Sequence, residues 1–224
     1  MEESVLEKSE LFSGVPAVER RAILAEIPHQ TRRYNKGDPV FHLMEKADRI
    51  GIILEGKVEA QKPFPNGSQI NISVRIPGEM IGPAAVFSKS GRYPCDMVAL
   101  EPVAIMMIRK ENLIWMMQKN SRILENLTAE IATATYMLQQ KLELLSYKGI
   151  AQKAAFWLLM EARRTGKDTV HIPDSISNWS MRMNVSRPSL HRELKKLENR
   201  GIIAYRPPLI RILDAQALYD LLEQ

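Results

Sequence analysis

The stretch NVSRPSLHRELKKLENRGIIAY, Asn184 to Tyr205, decides how the rest of the chain is read. Leu190, Leu194 and Leu197 fall at i, i+4 and i+7, one stripe of a helix with 3.6 residues per turn. At about 100° per residue, Pro188, Arg192, Lys195 and Asn199 point to the opposite side. One side of this helix is therefore suited to a protein core, and the other offers guanidinium and ammonium groups to something outside. Ser186 is placed to cap it through its hydroxyl. Pro188 falls in the first turn, where an N–H has no intrahelical partner to lose.

Working outward, DSISNWSMRM (174–183) reads as a shorter helix with Ser175 as N-cap, and NVSR (184–187) as the turn. Two short helices joined by a tight turn, the second more basic, make a helix-turn-helix. Trp179 and Met183 are the residues expected to hold the first helix on the second. GIIAYRPPLIRILD (201–214) gives two short apolar runs around Pro207-Pro208, a β-wing, and AQALYDLLEQ closes the chain as a helix. Upstream, IAQKAAFWLLMEARR (150–164) is an amphipathic helix ending near Thr165-Gly166, and TVHIP (169–173) is strand-like. In such a motif the N-terminal end of the second helix enters a major groove. Arg187, Pro188 and Arg192 line that end, and the arginine fork suits O6 and N7 of guanine together. Ser189 and His191 are within reach of phosphates or base edges. Lys195, Lys196 and Arg200, further along, suit backbone phosphate. Ser175 and Ser186, at the two helix starts, complete the candidate DNA-contacting set.

Charge agrees with this focus. Residues 149–224 carry 12 Lys and Arg against 8 Asp and Glu, whereas residues 1–148 are nearly balanced, at 19 against 18. Between Arg182 and Arg206 stand seven basic residues and only Glu193 and Glu198. Basic charge concentrated on one short segment points to a polyanion partner. The 224 residues allow one large or two small domains. No apolar run approaches the ~18 residues a membrane span needs. The start, MEESVLEKSE, is acidic and polar, unlike a secretory signal, so a cytoplasmic location and no membrane partner are expected. Cys95 is the only cysteine, which excludes an internal disulfide, a Cys-rich zinc site and a four-cysteine iron–sulfur cluster within one chain.

Residues 1–30 read as short helices, with Val18, Ile23, Leu24 and Ile27 near one face. From Thr31 to Ile108 the runs RIGIILEG, KVEAQ, INISVRI and VAIMMI alternate with Gly, Pro, Asn and Asp. PNGS at 65–68 reads as a hairpin turn, since Asn-Gly tolerates positive φ at both central positions. Short strands with regular turns argue a β-barrel, sandwich or roll. IGIIL and AIMMI, apolar on both faces, belong deep within it. ENLIWMMQK (111–119) is a short helix, and Asn120-Ser121 can cap the next. That next helix carries Leu124, Leu127, Ile131, Ala134, Leu138, Leu142 and Leu145 at spacings of three and four, without Gly or Pro before Gly149. At ~1.5 Å per residue it spans roughly 40 Å. A narrow stripe that keeps its period over this length favours a two-stranded coiled coil with a twin chain.

These elements together resemble the cyclic-AMP receptor protein/FNR (CRP/FNR) superfamily of bacterial transcription regulators. The resemblance rests on VSRPSLHRELKKLENRGII in the wing domain and, less specifically, on YNKGDPVF, ILEGKV and PGEMIG in the roll. It implies an α+β chain with an N-terminal double-stranded β-helix (jelly-roll, cyclic-nucleotide-binding-like) domain, a long dimerisation helix and a C-terminal winged helix-turn-helix domain. The expected boundaries are 1–120, 121–148 and 149–224. It implies a homodimer on a palindromic operator, contact with RNA polymerase, and an effector in the roll that reorients the DNA heads.

In cyclic-nucleotide-binding relatives a Glu follows PGE-x-x-G to hold the ribose, and an Arg-Ser pair grips the phosphate. The segment here is PGEMIGPAAVFSKSGRYPCDMVAL, with Pro83 at the Glu position, Tyr93 at the Arg position and Pro94 at the Ser position. A buried phosphate without its arginine loses a bidentate charge-assisted contact. Arg92 substitutes only if the loop register shifts. With the long helix aligned without gaps, the family's adenine-contacting Thr-Ser pair becomes Leu138-Gln139. Cyclic AMP is thus not the expected effector. Gly82, Pro83, Ala84, Arg92, Tyr93, Pro94, Cys95, Leu138 and Gln139 mark the site of another small molecule: an aromatic, a metabolite or a haem. For a haem-based gas or redox sensor the axial candidates are Cys95, His42, Met106, Met107, Met116 and Met117, although no spacing selects them and paired methionines suit a core. No enzyme is expected. His29, His42, His171 and His191 make no metal-ligand spacing, Cys95 has no identifiable base, and no G-x-x-x-x-G-K loop is present. A cyclic-nucleotide-binding regulatory module without DNA binding would share the roll but not residues 172–213.

Overall fold

The computed structural model describes residues 2–63, 69–173 and 175–223. The hairpin turn expected at 65–68 lies outside them. The chain runs α1 (Glu2–Glu7), α2 (Ala17–Glu26), β1 (His29–Tyr34), β2 (Pro39–Phe41), β3 (Arg49–Glu55), β4 (Val58–Pro63), β5 (Gln69–Arg75), β6 (Met80–Ile81), α3 (Pro83–Phe87), β7 (Asp96–Ala99), β8 (Val103–Arg109), α4 (Lys110–Lys119) and α5 (Ser121–Ser146). It continues with α6 (Ile150–Thr165), β9 (Thr169–His171), α7 (Ile176–Arg182), α8 (Arg187–Asn199), β10 (Ile203–Arg206), β11 (Leu209–Ile212) and α9 (Ala215–Leu222). Two compact units divide it, Met1–Ala134 and Thr135–Gln224.

In the first unit two four-stranded antiparallel sheets, β1-β8-β3-β6 and β2-β7-β4-β5, form the roll. The runs apolar on both faces are its deepest strands: β3 is buried from Ile50 to Leu54 and β8 from Val103 to Ile108. Both sides need apolar residues because α1 and α3 pack against β3, and α4 against β8. Gly56, just after β3, has φ +77, and a Cβ there would sit 2.4 Å from the Pro102 carbonyl oxygen. No L side chain fits that backbone without strain. Gly56→Ala is expected to cost about 1–3 kcal/mol, read as a lowered midpoint of urea unfolding.

One face differs from the expected reading. In α2 Val18 is 76% exposed, and Arg20 is buried at 2%. The inward stripe runs Arg20, Ile23, Leu24, Ile27, so the helix is turned by about two residues from an alignment on the valine. The arginine tolerates burial because its guanidinium reaches the Val15 carbonyl at 3.5 Å and Glu3 at 3.9 Å.

Helix α5 begins as expected, with the Asn120 carboxamide oxygen accepting from the amides of Arg122 (2.9 Å) and Ile123 (3.3 Å). Its residues are shared between the units rather than forming a body of their own. Ile123 and Leu127 are buried in the roll core, and Leu144 belongs to the core of the second unit. This corrects two members of the expected dimer stripe: Leu127 is used inside its own chain, and Ile131 packs partly on the same core. Leu124 and Ala134 are exposed. Leu138 (59%), Leu142 (61%) and Leu145 lie uncovered in the single chain.

The second unit packs α6, α7, α8 and α9 around Leu158, Trp179, Leu194 and Leu218, with a three-stranded antiparallel sheet of order β10-β11-β9 beside them. Helix α6 ends at Gly166 in the left-handed conformation, the usual way to stop a helix.

Candidate nucleic-acid interface

Helix α7 starts where the Ser175 hydroxyl accepts from the Asn178 amide at 3.1 Å. Two lysines finish it. The buried Lys153 Nζ donates to the Met183 carbonyl at 3.2 Å, and Lys141 Nζ donates to the Arg182 carbonyl. Cations at the carbonyl end complement the helix dipole. Burial first, then the charges of Arg182 and Lys153, hold the Lys141 ammonium below the ordinary lysine range. The sequence shows no periodicity that would single out these two lysines. The turn then reverses at Asn184, in the left-handed region at φ 54, and the Val185 amide donates to the Ser180 carbonyl at 3.0 Å.

Helix α8 opens on Ser186, whose hydroxyl accepts from the Ser189 amide (3.2 Å) and donates to the Ser189 hydroxyl (2.8 Å). Both serines are thereby engaged in the cap. Leu190, Leu194 and Leu197 are fully buried, which fixes the rotation of the helix. Arg187, Pro188 and Arg192 are exposed, and neither arginine forms an ion pair among the described residues. The lysines differ. Lys195 pairs with Glu198 and Lys196 with Glu193, each at 2.7 Å, and Arg206 of the wing also reaches Glu198 at 2.9 Å. The hydrogen bond from Lys195, then the Tyr205 amide, holds the Glu198 carboxyl below the usual carboxylate range. Exposed pairs of this kind are weak and yield easily to a competing phosphate. His191 Nδ1 lies 3.3 Å from the Tyr205 hydroxyl, with the rings edge to face at 5.6 Å. The wing therefore orients this imidazole instead of leaving it free to swing toward DNA. Burial pushes the Tyr205 hydroxyl above its ordinary pKa.

The roll also encloses a cavity of about 250 Å³. Gly82, Pro83, Ala84, Tyr93, Pro94 and Cys95 line it. Arg92 is not on its wall; the guanidinium donates to the Met44 carbonyl at 2.8 Å. Leu138 and Gln139 are not on it either, and α5 contributes Glu130, Ile131 and Ala134 instead, one or two turns earlier. Tyr93 stacks on Phe41 with ring centroids 4.1 Å apart, and its hydroxyl donates to the Arg49 carbonyl at 2.6 Å. Gly82 has φ +86, and a Cβ there would come within 3.0 Å of the tyrosine ring. Burial, then Asp96, pushes the Cys95 thiol up, so it stays protonated at neutral pH. Of the side chains considered as axial ligands, Cys95 alone reaches this cavity: Met106, Met107 and Met116 are core residues, Met117 packs partly on that core, and His42 is exposed. Among the described residues no cluster of three or more His, Cys, Asp and Glu is arranged to hold a metal ion, and no helix is long and apolar enough to cross a membrane.

Comparison with known proteins agrees with both halves. Residues 31–120 match the cyclic nucleotide-binding domain and residues 152–221 the Crp-like helix-turn-helix domain. The chain is 22% identical over 213 residues to the cyclic AMP receptor protein of Thermus thermophilus, covering 95% of this chain and 96% of the relative. It is 23% identical over 221 residues to the CRP-like cAMP-activated global transcriptional regulator of Mycobacterium tuberculosis, covering 96% and 97%. Among solved structures, the Thermus thermophilus catabolite activator protein superposes with a TM-score of 0.57 at 22% identity, covering 96% of this chain and 99% of that one. DNR from Pseudomonas aeruginosa gives 0.50 at 22%, covering 98% and 96%. With a roll of the cyclic-nucleotide-binding type and a Crp-like helix-turn-helix in one chain, the protein belongs to the CRP/FNR family of DNA-binding transcription regulators, a family of regulators rather than enzymes.

Proposed function

We propose that this protein is a cytoplasmic homodimer that sets α8 of each chain into successive major grooves of a two-fold operator, acts on RNA polymerase from there, and is controlled by a small molecule other than cyclic AMP held in the roll. The observation that carries the DNA half is the contrast along α8. Arg187 and Arg192 are exposed and uncommitted beside the cap, while Lys195 and Lys196 are tethered to glutamates on the same helix. The first pair suits base edges, and the second suits phosphates that displace a weak carboxylate partner. The exposed Leu138, Leu142 and Leu145 supply an apolar seam for the twin chain. Anchored on PGEMIG and Phe87, the sequence puts Pro83, Tyr93 and Pro94 at the positions of the ribose- and phosphate-gripping side chains of the family's cyclic-nucleotide members, and this supports an effector of another class.

The test is selection of the operator from random duplexes, then fluorescence anisotropy at several salt concentrations. Affinity is expected to fall steeply with salt through counterion release. Arg192→Ala is expected to cost about 1–3 kcal/mol on the selected operator and to relax selectivity at one base pair; equal losses on operator and random DNA would remove its base-reading role. Added cyclic AMP is expected to leave the operator affinity unchanged, and a tenfold tightening would contradict the proposed effector class.

A further inference from the structure

We infer that the roll cavity is built for a compact, uncharged, mainly apolar ring compound carrying one hydrogen-bond donor, and that it disfavours anions; this rests on the roll being the effector-sensing unit. Size sets the first limit. A cavity of roughly 150 Å³ takes up benzene, so about 250 Å³ has room for two fused rings. The walls set the second. Ile72, Met80, Ile81, Met97 and Ile131 give a largely apolar lining.

The polar groups set the third limit. Anion sites draw on backbone N–H groups at the start of a helix; α3 is only five residues long, and its first, Pro83, has no N–H, which leaves the Ala84 and Ala85 amides as its donors on the wall. Pro94, on the same wall, has no N–H either. Tyr93 is committed elsewhere: its amide donates to the Glu45 carbonyl at 3.0 Å and its hydroxyl to the Arg49 carbonyl at 2.6 Å. Among the described wall residues the one cation is Arg75, and its guanidinium already faces two carboxylates, Glu130 at 3.7 Å and Glu79 at 4.0 Å. Glu10 adds a third carboxylate next to them, accepting from the Met80 amide at 3.2 Å. Burial first, and the neighbouring Glu130 carboxylate second, raise the Glu10 pKa. An anion entering here would meet the Glu130 carboxylate on the wall and one cation already shared between Glu130 and Glu79, with Glu10 nearby but off the wall. A ring N–H or O–H would instead find the Glu130 carboxylate as its acceptor.

The test uses the full-length protein without DNA, titrated calorimetrically and by saturation-transfer NMR. Indole is the uncharged bicyclic probe, indole-3-carboxylate its matched anion and cyclic AMP a second anion. Indole is expected to bind, its carboxylate at least tenfold more weakly, and cyclic AMP not to compete. Ala60→Leu fills the buried wall and Ala84→Trp the exposed rim, so that one remains informative if the other fails to fold. Each is expected to weaken indole at least tenfold. Glu130→Gln relieves Arg75 of one carboxylate and is expected to narrow the gap between indole and its anion several-fold. Absence of indole binding, equal or tighter binding of either anion, or unchanged uptake by the filled variants would overturn the inference. DNA affinity is measured on the same samples. Salt-sensitive operator binding without indole uptake sinks the ligand class and leaves the regulator standing. Indole uptake without DNA affinity does the reverse.

Discussion

A chain carrying Leu138→Glu and Leu142→Glu is expected to elute as a monomer in light-scattering chromatography, to melt at nearly the wild-type temperature, and to bind the operator about 10²–10⁴-fold more weakly. In the single chain these two leucines are 59% and 61% exposed and contribute little to either core. Charging them therefore removes a surface contact and leaves the fold intact. The loss on DNA is large because two linked heads bind with an effective concentration that one head lacks. Leu127 makes the internal control. It is buried in the roll core, so Leu127→Glu is expected to unfold the roll rather than split a soluble dimer.

The second large effect is expected at Leu194. It is wholly buried at the middle of the α8 stripe, in one core with Trp179 and Leu158. Leu194→Ala is expected to cost about 2–5 kcal/mol, from lost transfer energy and the cavity left behind. The damage falls on the second unit, whose core is separate from that of the roll. A separate, lowered first transition in the thermal scan is the expected readout, seen in the part of the tryptophan fluorescence that comes from Trp157 and Trp179 of that core. DNA affinity should fall at temperatures where that unit has melted and recover on cooling. A single transition at the wild-type temperature would show that the stripe is not what seats the helix.

The legible parts of the chain were those governed by short-range rules. The α8 leucines, the Ser175 and Ser186 caps, the Asn120 cap, the left-handed Gly166 and the buried β3 and β8 runs all follow from local spacing and residue chemistry. What sequence spacing missed depends on contacts between distant positions. Glu198 gathers Lys195, Arg206 and the Tyr205 amide only because β10 returns beside α8. His191 is held by Tyr205 for the same reason. Arg20 goes inside and Val18 outside because α2 is oriented by its neighbours and not by its own hydropathy. In the roll, six of the nine positions expected around an effector do line the cavity. Arg92 departs because Met44 captures its guanidinium, and the helical contribution comes from Glu130, Ile131 and Ala134 because those residues lie beside β5 and α3 on the wall.

The central claim is a pair of α8 helices reading one face of a duplex, and hydroxyl-radical footprinting on the selected operator tests it most directly. The expected result is two protected patches about one helical turn apart, roughly 34 Å, on the same face and related by two-fold symmetry, with both fading together in the Leu138→Glu, Leu142→Glu chain. A single protected patch, or two patches that persist when the protein is monomeric, would contradict it.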